Sequence, residues 1–131
     1  MIQRNELRKI ARARLKDADI LMASRRYDGA IYLCGYTIEL ILKARICRTL
    51  KWQGYPSTNS EFQNYQSFRT HDLDVLLHLT GLEQTIKTNY LAEWSAVAQW
   101  NPAARYQPVG TASKNDAYMM ISASKTLIGK V

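Results

Sequence analysis

Residues 27 to 47, YDGAIYLCGYTIELILKARIC, constrain this chain more than any other stretch. Ile31, Leu33, Ile38, Leu40, Ile41, Leu42 and Ile46 fall on every side of a helix, so the segment predicts a central helix buried on more than one face. Glu39 interrupts it, with Lys43 one turn later. An exposed Glu-to-Lys pair at this spacing is worth only ~0.2–0.5 kcal/mol. That is too little to explain charges on so apolar a helix. Two readings remain: a buried polar cluster that fixes packing, with Glu39 facing Arg69, His71 or Arg105 from other elements, or a ligand pocket.

The flanking sequence supplies the neighbours such a helix needs. Leu7, Ala11, Leu15, Ala18 and Met22 step by three or four, predicting a one-sided helix from about Asn5 to Ser24, closed by Arg25 and Arg26. Tyr27-Asp28-Gly29 is then expected to make the turn. From Lys51 to Phe68 the chain turns polar and aromatic, and a long loop is expected. Its Trp52, Tyr55, Phe62, Tyr65 and Phe68 could stack on a base, pack back over the core or meet a second copy. Thr70 is the expected N-cap of a short helix with Asp72 and Asp74 in its first turn, a buried stripe of Leu73, Leu76 and Leu77, and Gly81 as its stop. A helix from Glu83 to Trp100 should end at Asn101-Pro102. Ser113 to Asp116 reads as a capping box opening a last helix with Ala117, Met120, Ile121, Ser124 and Leu127 on one face. Strand-like alternation and internal repeats are absent. The expectation is one all-α domain over residues 1–131, an antiparallel bundle of four to five helices.

With 131 residues, 47% hydrophobic and 22% charged, the chain is long enough for one core and too apolar for extended disorder. Neither a membrane span nor a signal peptide is visible, so a cytoplasmic protein is expected. Cys34 and Cys47, thirteen helical residues and so ~20 Å apart, cannot bridge each other and read as core filler. The net charge of +7 invites a polyanionic partner. Arg4, Arg8, Arg12 and Lys16 recur every four residues as a slanted basic ridge, either a solvated face or a track for phosphates.

His71, Asp72, Asp74 and His78 look like metal ligands, but seven helical residues hold the two imidazoles ~10.5 Å apart along the axis. These are the only histidines in the chain. No metal and no cofactor is expected. Glycine-rich phosphate loops are missing too, so any phosphate would be held by Arg, Lys and helix N-termini.

The order ARLKDADIL, then YDGAIYLCGYTIELILKA, then HDLDVLL, then Trp-x4-Arg-Tyr before a last amphipathic helix resembles the HEPN family over about residues 11 to 128. The resemblance implies a helical bundle that commonly dimerises, with roles as ribonucleases, toxins or partners of small nucleotidyltransferases. HEPN ribonucleases place an Arg four to six residues before a His. Here Arg69 is too close to His71 and too far from His78. The last helix opens instead on Lys114-Asn115-Asp116-Ala117-Tyr118-Met119-Met120, which lacks a proton-exchanging group in place of that His. The resemblance therefore implies a non-catalytic homodimer acting as binding or regulatory partner of a nucleotidyltransferase. Lys43, Arg105 and Lys114 would hold nucleotide or RNA phosphates, Tyr106 would offer a stacking face, and Glu39, Lys43, His71 and Asp72 would form a polar cluster. The alternatives are a ribonuclease or RNA-binding toxin using the basic first helix for the RNA backbone and His71 with Arg69 for chemistry, and a purely structural dimerisation module.

Overall fold

The computed structural model describes residues 1–131 and is all-α, as expected, with one two-residue ladder attached. α1 (Arg4–Ala23) and α2 (Tyr27–Leu50) form a hairpin. The predicted stripe of α1 is the face that packs: Leu7, Ala11 and Ala18 are buried and Leu15 and Met22 half-buried. The small alanines let α2 approach closely enough for Thr37 Oγ1 to donate to the Ala11 carbonyl at 3.0 Å. The chain reverses at Arg25, whose φ of 60° is left-handed. The expected turn at Tyr27-Asp28-Gly29 is instead the first turn of α2.

α2 is the central helix, with buried residues all around its circumference from Ala30 to Cys47 and α1, α4 and α7 packed on it. Gly35 is required for one of these contacts. A Cβ there would stand 2.1 Å from Cδ2 of Trp100, whose indole lies directly on the helix backbone.

The long connection after α2 is folded. β1 (Ile2–Gln3) pairs antiparallel with β2 (Gly54–Tyr55), a ladder too short for any alternation to announce it. Gly54 permits the approach, since a Cβ would meet the Ile2 carbonyl oxygen at 2.8 Å. α3 (Asn59–Phe62) and a 3-10 turn (Gln66–Phe68) follow. Trp52 lies 4.9 Å from Phe68 and 5.1 Å from Tyr65 between ring centroids, and Tyr55 and Phe62 are buried. These aromatics close over the core and over one another; they do not form an open stacking platform.

α4 (Leu73–Thr80) buries Leu73, Leu76 and Leu77 and stops at Gly81 with φ 78°, as expected, but its N-cap is Asp72, not Thr70. The Asp72 carboxylate accepts from Val75 N–H, while Thr70 Oγ1 accepts from Asp72 N–H. The single helix expected from Glu83 to Trp100 is broken at Tyr90 into α5 (Glu83–Asn89) and α6 (Leu91–Val97). The break lets Ile86 be buried while Trp94, also buried, donates its indole N–H to Asp74 at 2.9 Å. After a 3-10 turn (Pro102–Tyr106), α7 (Lys114–Ile128) opens with the expected capping box and buries the expected face. No helix is long and apolar enough to cross a membrane.

Candidate functional site

The face of α2 carrying Tyr36, Glu39, Leu40 and Lys43 looks onto the segment that leads into α4, and between them lies a cleft of about 370 Å³. Glu39 is 3% exposed, and each of its carboxylate oxygens has a partner. Lys43 Nζ donates to Oε2 at 3.0 Å from the next turn of the same helix. His71 Nδ1 lies 3.0 Å from Oε1, across thirty-two residues of sequence. A carboxylate acceptor places the proton on Nδ1, so in the neutral ring Nε2 is left as the acceptor. The His71 side chain is 64% exposed and Lys43 15%.

Glu39, Lys43 and His71 thus meet in a hydrogen-bonded cluster between α2 and the segment before α4, at the polar floor of the cleft. Lys43 is further held 5.3 Å from the centroid of the Tyr55 ring. Arg69 stands on the rim, its Nη2 donating to Asn59 Oδ1 at 2.6 Å and its guanidinium 5.6 Å from the centroid of Phe62. Leu7, Leu40, Phe62 and Pro56 supply apolar walls. The charges on this surface are one carboxylate against Lys43 and Arg69, with an imidazole beside them.

Other expected members lie elsewhere. Asp72 does not join Glu39, because its carboxylate is engaged in capping α4. Arg105 and Tyr106 sit on the 3-10 turn with the guanidinium 4.8 Å over one face of the exposed Tyr106 ring. That turn packs near Tyr32, seven helical residues and ~10 Å along α2 from Glu39. Lys114 opens α7, whose leading loop is tied to the other end of α2. The Asp28 carboxylate accepts Gly110 N–H at 2.7 Å and Ala112 N–H at 2.8 Å, and these bonds hold its pKa below the ordinary value. Lys43, Arg105 and Lys114 therefore do not share a site. His78 is also separate, with Nδ1 at 3.3 Å from Glu83 Oε2.

Both cysteines are fully buried, and desolvation pushes each thiol up to about 11, which keeps them protonated and unreactive near neutral pH. Arg4, Arg12 and Lys16 of the basic ridge are exposed and Arg8 half-exposed. Sequence reasoning overlooked Tyr36 and Thr70 as cleft residues. Tyr36 carried a signal, lying at i−3 from Glu39 and i−7 from Lys43 on one helix face.

A family model described as the HEPN domain matches residues 5–60, spanning α1, α2 and the connection into α3. The match includes Glu39 and Lys43 and stops short of Arg69 and His71. No curated protein and no solved structure matches the chain.

Proposed function

We propose that this chain is a HEPN-type helical protein whose cleft holds an anionic small molecule, a nucleotide phosphate above all, and that it acts as the non-catalytic binding partner of a small nucleotidyltransferase. One observation carries the reading: the cleft gathers Lys43, Arg69 and His71 around a single carboxylate that is already paired, leaving positive charge for a ligand. Apolar walls beside that charge suit a ligand with an aromatic or aliphatic body. A second copy of the chain belongs to the same reading, and the exposed Tyr106, Val109, Tyr118 and Met119 offer apolar surface for it.

The test is ATP binding by calorimetry, together with incubation of labelled single-stranded RNA in EDTA. Expected are ATP binding that weakens in Arg69→Gln and an RNA that stays intact. A ribonuclease reading draws on Arg69 and His71 lining the same cleft, with the imidazole oriented by Glu39 as a general base would be. RNA cleavage by the wild type that His71→Ala abolishes would install that reading in place of the first. The partner assignment is tested by co-purification with a nucleotidyltransferase encoded beside this chain.

A further inference from the structure

A second concentration of positive charge lies outside the cleft. On the other side of the β1–α1 junction, a polar groove of about 520 Å³ is lined by Arg4 from α1, Arg48 and Lys51 from the end of α2, and the amides of Gln3, Asn5 and Gln53, with no acidic residue among its walls. From Arg4 the ridge of Arg8, Arg12 and Lys16 continues for twelve residues, ~18 Å along α1. None of these six cations lies within ion-pair distance of a carboxylate. The negative end of the α2 dipole accounts for Arg48 and Lys51. It does not account for Arg4 meeting them there, or for the ridge.

We propose that this groove and ridge dock the phosphodiester backbone of a nucleic acid without reading its bases. Four of the six groups are guanidinium, which grips phosphate with two parallel N–H donors. Arg4, Arg8, Arg12 and Lys16 follow a slanted row along α1, and the six groups stand on two helices packed against each other, so the track exists before the ligand arrives. A protein partner is the poorer fit, because protein interfaces centre on apolar anchors and the groove offers only Trp52 and Cys47. A membrane surface is poorer still. The apolar stripe of α1 that would enter the lipid, Leu7, Ala11 and Ala18, is buried in the core. This site is distinct from the cleft, and each can fail without the other.

Binding of a fluorescent RNA strand and of a DNA duplex, each about 20 units long, is followed by anisotropy between roughly 50 and 200 mM salt. The wild-type affinity should fall with salt, log K against log salt losing about 0.7 per phosphate contact on a strand and about 0.9 on a duplex. The variant Arg4→Gln/Arg48→Gln/Lys51→Gln should bind at least about tenfold more weakly with the slope reduced by about 2 to 3. Arg12→Gln/Lys16→Gln should lose about 1 to 2 of slope, and it decides the matter if the groove variant does not fold. Arg26→Gln/Lys87→Gln/Lys130→Gln removes equal charge outside this face and should leave the slope unchanged. The tighter of the two probes identifies strand or duplex as the partner. The proposal is overturned by equal losses in the groove and control variants, by no salt-dependent binding of either nucleic acid, or by tighter binding of polyglutamate or of phosphatidylserine vesicles.

Discussion

Replacing Glu39 by alanine tests the cluster at the floor of the cleft most directly. The substitution removes two hydrogen bonds of 3.0 Å, one to Lys43 and one to His71. Breaking a fully buried pair costs ~3–5 kcal/mol, chiefly because the surviving charge is stranded. Here the survivors have an escape. Lys43 is 15% exposed and His71 64% exposed, so both can turn to water. The loss is then closer to two charge-assisted hydrogen bonds less their replacement by solvent, about 2–3 kcal/mol. At roughly 3 °C per kcal/mol for a domain of this size, Tm should drop about 6–9 °C, readable by circular dichroism. Glu39→Met/Lys43→Met removes both charges and fills the space, and should fall within about 1 kcal/mol of wild type while abolishing any anion binding in the cleft. Glu39→Ala melting within about 2 °C of wild type would refute the reasoning, since it would mean that the carboxylate is solvated and ties nothing together.

Gly35→Ala sets helix propensity, worth ~1 kcal/mol in favour of Ala, against a steric conflict with Trp100, worth ~1–3 kcal/mol or more. The contact of 2.1 Å with a ring only 8% exposed should win, so the variant is destabilised. In a Trp100→Ala background the same change should stabilise; urea midpoints showing the same sign in both backgrounds would contradict the packing. Stability should also decline at alkaline pH. Cys34 and Cys47 sit at about 11 in the folded chain against 9.0 when unfolded, so the unfolded state sheds protons first as pH rises. Burial raises the Tyr55 hydroxyl in the same sense. Their contribution is complete below the unfolded values and is lost as pH climbs through the folded ones; identical urea unfolding at about pH 8 and about pH 10.5 would exclude it.

The sequence by itself determined whatever rests on neighbours three or four residues apart. The stripe of α1, the all-round burial of α2, the leucines of α4 with Gly81 behind them and the capping box of α7 are written in local spacing. So is the Glu39–Lys43 pair, because one helical turn brings the two side chains together whatever the fold. Boundaries were less legible. Asp72 and Thr70 are both good caps, and in the fold Asp72 caps α4 while Thr70 Oγ1 accepts from Asp72 N–H. Likewise a continuous apolar period from Glu83 to Trp100 could not reveal the break at Tyr90, on either side of which Ile86 and Trp94 are both buried.

Tertiary structure alone decided how distant segments meet. It brings His71 and Arg69 to the Glu39 cleft, and it sends Arg105 and Lys114 elsewhere, because Asp28 ties the loop before α7 to the first turn of α2, away from Lys43. It also turns a periodic row of arginines on α1 into the wall of a groove by setting Arg4 beside Arg48 and Lys51. The physical reason is common to all three. Helix periodicity fixes which residues share a face, but which face meets which depends on close approaches such as Gly35 against Trp100 and Gly54 against Ile2, whose partners lie far away in the chain and leave no mark in the local pattern.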